Sequence, residues 1–213
     1  MLVVLAIIIT ITSVALVSQS SFNKTLVLAN TAYDIALTLR SAETYGLGSR
    51  AANISATTIV KTGYGVNFQR ATPGVFTFFA DTSPGPSASN CHGLPIIGAS
   101  SPSARPGNCV YDSGERVLDY TLGNRITVSN FCAFISGSWS CAHANGSSYP
   151  GTLSSLDIVF ARPNPHAFMS VSGAYSASIT QACIIVTSPQ GVSRFVSVLS
   201  SGAVVANASP CPP

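Results

Sequence analysis

The sequence predicts an α+β protein, with one long N-terminal helix, part membrane anchor and part stalk, packed on an antiparallel β domain of two sheets. Three observations lead there: the first charge is Lys24, an apolar stripe with helical spacing continues to about residue 47, and short β-rich segments follow from residue 57. We therefore divide the chain into a transmembrane half of the helix (1–23), an amphipathic half (24–50) and a globular extracytoplasmic domain (51–213).

The opening segment is apolar on all sides, since residues 2–23 contain no Asp, Glu, Lys, Arg or His. As a helix it would extend about 33 Å, enough to cross a hydrocarbon core of about 30 Å. A cleaved signal peptide would carry a basic leader, and a buried helix of this length would be unusual in so small a domain. We expect these side chains to contact lipid or neighbouring helices: Leu2, Val3, Val4, Leu5, Ile7, Ile8, Ile9, Ile11, Val14, Leu16 and Val17.

The second half of the helix carries a narrow apolar stripe whose members are spaced 4, 3, 4 and 3 residues apart. Such spacing places them on one helix face, while charged residues occupy the rest. Gly46 and Gly48 stand where a helix C-terminus favours glycine. The stripe is predicted to hold the helix on the β domain, and its members are Leu28, Ala32, Ile35, Leu39 and Ala42.

The globular part shows short runs rich in β-branched and aromatic residues, separated by turn residues. Within residues 155–161, apolar Leu156, Ile158 and Phe160 alternate with the other positions. About eight such strands without a further helix predict an antiparallel sandwich or two small sheets. The predicted strands lie near 60–68, 75–80, 116–122, 125–134, 155–161, 177–187, 192–199 and 202–206. The segments 81–115 and 135–153 are predicted loops.

Charged residues make up only 8% of the chain, against about 25% in an ordinary soluble domain. A polar but uncharged surface suits exported proteins that pack side by side. The net charge of +3 is spread along the sequence without a basic run. Charge clustering therefore does not support DNA as a partner, although scattered arginines can converge in a fold.

The six cysteines form no CxxC pair and have no zinc-site spacing. Their even number predicts disulfides in an oxidising, extracytoplasmic compartment. Six cysteines allow 15 connectivities. We favour pairing between neighbours in the sequence, which gives Cys91–Cys109, Cys132–Cys141 and Cys183–Cys211.

Catalytic signatures are absent from the sequence. It contains no G-x-S-x-G elbow and no phosphate-binding glycine loop, and its histidines have no partner at a recognisable catalytic spacing. We predict that the protein is not an enzyme and has no cofactor. Asp81, Asp112 and Glu115 are weak candidates for calcium ligands if the loop between them folds back, but a solvated turn is the commoner outcome of such a sequence.

The stretch "MLVVLAIII" and its amphipathic continuation resemble the N-terminal helix of type IV pilins and type II secretion pseudopilins. "GYGVNF", "LDIVFARP" and "RFVSVLSSGAVV" resemble the H-type minor pseudopilins and FimT-like minor pilins within that family. Met1 corresponds to the position directly after the family's acidic residue. We therefore expect that residue and a leader peptide to lie upstream of the sequence.

The resemblance implies a pilin-like fold and a structural role as a minor subunit of a type II secretion or type IV pilus-like filament. It also implies a single-pass location in the cytoplasmic membrane with the β domain outside. The expected partners are other pilin or pseudopilin subunits, in support of secretion, pilus assembly or DNA uptake. A membrane-anchored extracytoplasmic binding or adhesion module, with DNA as one candidate ligand, is the alternative.

Overall fold

A computed structural model of the protein describes residues 2–48, 51–55, 58–83, 91, 107–143 and 151–211, and the side chains in these ranges except those of residues 2, 6, 14–23 and 51–61. The chain begins with one helix, α1 (Leu2–Leu47). Thirteen strands follow in the described residues.

The strands form two large antiparallel sheets and a small hairpin. The six-stranded sheet has the order β10-β9-β8-β3-β4-β5, and the five-stranded sheet has the order β13-β12-β11-β6-β7. The hairpin pairs β1 (Ala51–Ser55) with β2 (Thr58–Lys61). The strands of the large sheets are β3 (Gly63–Gln69), β4 (Val75–Asp81), β5 (Arg116–Thr121), β6 (Thr127–Ile135), β7 (Ser138–Cys141), β8 (Ser155–Ala161), β9 (Asn164–Val171), β10 (Ala174–Tyr175), β11 (Ile179–Thr187), β12 (Ser193–Leu199) and β13 (Val204–Ala206).

The core lies where the inner faces of the sheets meet one face of α1. In the six-stranded sheet, Val66 stands opposite Ile158 and Phe68 opposite Leu156, so β-branched and aromatic side chains pair across the strands. Tyr45 of α1 meets the rings of Tyr64 and Phe78 edge-on, at centroid distances of 5.6 and 5.7 Å. These contacts join the helix and the sheet in one hydrophobic cluster.

The apolar stripe of α1 is the part of the helix that packs. All five of its members, Leu28, Ala32, Ile35, Leu39 and Ala42, are fully buried. The helix contacts β3 and β8 of one sheet and β12 and β13 of the other. At its C-terminal end, a β-carbon on Gly46 would collide with the Phe160 carbonyl oxygen, so glycine permits the closest approach of helix and sheet.

The predicted fold class, α+β with a long membrane and stalk helix packed on the sheets, is wrong. The protein is mostly antiparallel β in two sheets, and among the described side chains of α1 the fully buried ones begin at Leu28. The reason is one of length. A strand of nine residues extends about 30 Å, which matches the roughly 20 helical residues from Leu28 to Leu47, so the exposed turns from Val3 to Ile11 lie beyond the sheets. In the described part of the chain, no helix combines the length and the apolarity that crossing a membrane requires.

The predicted strands agree with observed ones to within a few residues, and β8 agrees at both ends. Four observed strands were not predicted, and the first of them, β1, precedes the first predicted strand. β7 lies in the predicted loop 135–153, and β9 and β10 follow the strand predicted at 155–161. β7 is short and Ser-rich and β9 contains Pro165, so their local sequence gives a weak strand signal. Neighbouring strands supply the hydrogen bonds that define them.

Candidate functional site

The first turns of α1 present apolar side chains to the outside. Seven large apolar residues between Val3 and Ile11 are 52–72% exposed. The two threonines there add no polar face, because their hydroxyls donate back to helix carbonyls, as from Thr10 Oγ1 to Ile7 O at 2.8 Å. The exposed residues are Val3, Val4, Leu5, Ile7, Ile8, Ile9 and Ile11, here called the apolar segment. Of the predicted contact residues, Leu2, Val14, Leu16 and Val17 have side chains outside the described residues.

The change from free helix to packed helix is abrupt. Leu26 and Val27 are 45% and 36% exposed, whereas Leu28 is fully buried. An exposed apolar patch larger than a few hundred Å² is rare on a monomeric soluble protein and marks a surface for a protein or lipid partner. The apolar segment therefore has the chemistry of a contact surface.

The three calcium candidates come close together at the edge of the six-stranded sheet. Asp81 is fully buried and accepts hydrogen bonds from the backbone N–H groups of Asn108 and Cys109, each at 3.0 Å. Glu115, also buried, accepts the N–H groups of Thr82 and Ser83 on Oε1 and that of Asp112 on Oε2. Asp112 accepts the side-chain amide of Asn108 at 2.6 Å.

This donor pattern does not fit a calcium site. Both oxygens of Asp81 and both of Glu115 already accept backbone N–H groups, which supply the partial positive charge that a cation would otherwise provide. Asp81 also lies within 4.8 Å of the sulfurs of Cys91 and Cys109, but these sulfurs form a disulfide and are not thiolate ligands. The carboxylates instead hold residues 107–115 against β4.

A fourth carboxylate belongs to the same cluster. Asp157 of β8 is 1% exposed and accepts a 2.6 Å hydrogen bond from Asn67 Nδ2. Burial raises the pKa of Asp157 to about 7, against the lowering effect of hydrogen bonds from Asn67 and the Tyr111 backbone. Burial, and next the charge of Glu115, raise the pKa of Asp81 well above its ordinary value. Asp81, Glu115 and Asp157 are called the buried carboxylates below.

Sequence reasoning missed Asp157 as a member of this cluster. Its alternation with Leu156 and Ile158 predicts a solvent-facing side chain. Residues 107–111 cover that face of the sheet instead, where the Ser170 hydroxyl donates to the Cys109 carbonyl and Tyr111 packs edge-on against Phe79. The sequence offered one signal that both faces of β8 are buried: its residues other than Ser155 and Asp157 are all apolar.

The three disulfides join the pairs expected from sequence proximity, Cys91–Cys109, Cys132–Cys141 and Cys183–Cys211. Cys91–Cys109 anchors the segment beside the buried carboxylates. Cys132–Cys141 links β6 to β7, and Cys183–Cys211 ties the C-terminal tail to β11. Three disulfides are consistent with an extracytoplasmic protein.

The remaining polar candidates serve local structure. His143 exchanges backbone hydrogen bonds with the Asn130 side chain, and His166 Nδ1 lies 3.2 Å from the Ser200 carbonyl. His92 lies outside the described residues. Two arginines form ion pairs within one turn or strand, Arg40 with Glu43 and Arg116 with Asp119.

Comparisons of the chain with protein-family models, with curated proteins and with solved structures find no match.

Proposed function

We propose that this protein is a structural subunit that assembles through the apolar segment of α1, in the manner of the minor subunits of pilin-like and pseudopilin-like filaments. In this proposal, the corresponding helices of other copies or of related subunits pack against the segment. The β domain then decorates the assembly, and no catalytic step is involved.

One observation carries the proposal: seven apolar side chains in the first turns of α1 are more than half exposed, whereas the apolar stripe on one face of its other end is fully buried. At about 25 cal/mol for each Å² of apolar surface removed from water, burying these side chains against neighbouring helices stabilises an assembly strongly. The threonine hydroxyls within the segment are already hydrogen-bonded to the helix, so burial leaves none of them without a partner.

The buried carboxylates and the three disulfides support the same role. They stiffen the β domain with internal hydrogen bonds and covalent links rather than exposing reactive groups. A location at the outer face of the cytoplasmic membrane before assembly is part of the proposal, since the resemblance to pilins implies it.

The test uses a single added thiol. All six cysteines of the chain form disulfides, so Ile8→Cys introduces one reactive sulfur in the apolar segment of the full chain. We expect mild oxidation of the assembled protein to give covalent dimers through position 8. The matched control is Val117→Cys on β5, which is similarly exposed, at 53% against 56%, but lies on the β domain.

Dimers from Ile8→Cys and not from Val117→Cys support helix-to-helix assembly. If the Ile8→Cys protein reconstituted in lipid vesicles stays uncrosslinked and shielded from a polar thiol reagent, the segment is a lipid anchor only. That result would contradict the proposed filament role and favour an anchored binding module.

A further inference from the structure

A cleft of about 430 Å³ opens where α1 leaves the β domain. Three chain segments meet there: the last free turn of the helix, the β5–β6 turn and the β11–β12 turn. Its lining residues are Lys24, Val27, Asn124, Arg125, Ile126, Ser188, Pro189 and Gln190. Volumes of this size are typical of small-ligand sites.

The cleft is positively charged. Lys24 and Arg125 both line it, and none of the described residues that line it is a carboxylate. Neither cation forms an ion pair with a described residue, whereas Arg40 and Arg116 each have a carboxylate partner. Asn124 and Gln190 add amide N–H donors. Together, two cations with neutral donors match the needs of a phosphate group, which an arginine side chain can bind through two parallel hydrogen bonds.

A second observation points to a missing ligand. Ser188 is only 8% exposed, and its hydroxyl has no hydrogen-bond partner among the described residues. A buried hydroxyl without a partner carries a free-energy cost, so such groups in native proteins call for an explanation. A ligand oxygen in the cleft would supply the partner.

The β5–β6 turn gives independent support. Asn124 and Arg125 both adopt left-handed backbone conformations, with φ of 57° and 56°. Two successive non-glycine residues in this region are unfavourable, and such strain concentrates at binding sites. Here the turn sets the Arg125 side chain beside α1.

We propose that this cleft binds a phosphate group, as a phosphodiester headgroup of an anionic lipid or as free phosphate. Lys24 and Arg125 neutralise the charge, and Ser188 and the two amides donate hydrogen bonds. Exposed Leu26 and Val27 lie beside it on the helix, so a bound lipid would run its acyl chains along apolar surface.

The experiment titrates the full chain in a neutral detergent with inorganic phosphate and with monomeric dihexanoyl phosphatidylglycerol, using calorimetry. Binding should weaken at least tenfold in the double variant Lys24→Gln, Arg125→Gln. The matched control is Arg162→Gln. Arg162 is an exposed cation after β8, near Gly46 and so roughly 33 Å along α1 from Lys24, and its removal should leave binding unchanged.

Ser188→Ala separates a binding role from a structural one. Deleting a hydroxyl without a protein partner should keep or raise the free energy of unfolding, yet weaken phosphate binding threefold or more. Tighter binding of phosphatidylglycerol than of phosphate identifies a lipid headgroup, and equal binding identifies free phosphate. The proposal is overturned if neither probe binds or if the double variant binds as well as Arg162→Gln does.

Discussion

The apolar segment of α1 and the buried carboxylates break the ordinary burial pattern in opposite directions. The first places isoleucine and valine side chains outside, up to 72% exposed, and the second places three carboxylates inside, at most 5% exposed. Asp81 and Glu115 are satisfied within the chain, because backbone N–H groups surround them, whereas Asp157 accepts from Asn67 on Oδ1 and its Oδ2 has no partner among the described residues. No described residue of the chain covers the apolar segment, so removing it from water requires a partner outside the chain.

The largest expected effect concerns Asp157. Because burial raises its pKa to about 7 from an ordinary 3.8, the folded protein binds a proton there that the unfolded chain releases. Stability from this group is therefore complete below about pH 4 and is lost as the pH rises through about 7. The difference between these two pKa values corresponds to about 4 kcal/mol of unfolding free energy.

Asp157→Asn should thus raise the free energy of unfolding at pH 8 by up to about 4 kcal/mol and change it little at pH 4, as measured by urea titration at both values. The asparagine oxygen can still accept from Asn67. Asp34→Asn, at an exposed carboxylate of α1, should retain the pH dependence of the wild type. If the unfolding free energy of Asp157→Asn equals that of the wild type at both pH values, the burial of Asp157 does not destabilise the fold.

The next effect concerns Glu115, which accepts three backbone N–H groups. Glu115→Ala leaves these donors buried without acceptors and should lower the free energy of unfolding by about 3 kcal/mol. The control Glu43→Ala removes a partly exposed ion pair with Arg40 and should cost less than about 1 kcal/mol. Equal losses in the two variants would mean that the cluster contributes no more than a surface pair.

The smallest effect belongs to the apolar segment. Ile8→Ala should change the free energy of unfolding of the monomer in detergent by less than about 0.5 kcal/mol, because Ile8 is 56% exposed. Ile35→Ala, the same substitution on the same helix at a fully buried position, should cost about 2–5 kcal/mol. A loss at Ile8 as large as that at Ile35 would place the segment in the fold of the monomer rather than in an interface.

Several features were predictable because they depend on local periodicity. The spacing of Leu28, Ala32 and Ile35 identified the packed face of α1, and alternation identified β8 at both ends. The predicted fold class was wrong because it centred the fold on a long helix, whereas the protein is mostly antiparallel β in two sheets.

The candidate sites were less predictable. Asp81, Asp112 and Glu115 were grouped from the sequence, but as cation ligands, because backbone N–H donors leave no trace in residue identity. The phosphate cleft was not predicted at all, since Lys24, Arg125 and Ser188 come from three segments about 60 to 100 residues apart in the chain.

By itself, the sequence determined the helix and most of the strands, which helix face is apolar, and which cysteines are near enough to pair. These properties depend on residues within a few turns of each other. The tertiary structure alone decided that Asp157 is buried, that backbone N–H groups surround Asp81 and Glu115, and that two cations share a cleft with a hydroxyl that has no partner among the described residues. Such outcomes depend on which distant segment covers a surface, and no local pattern of residues records that.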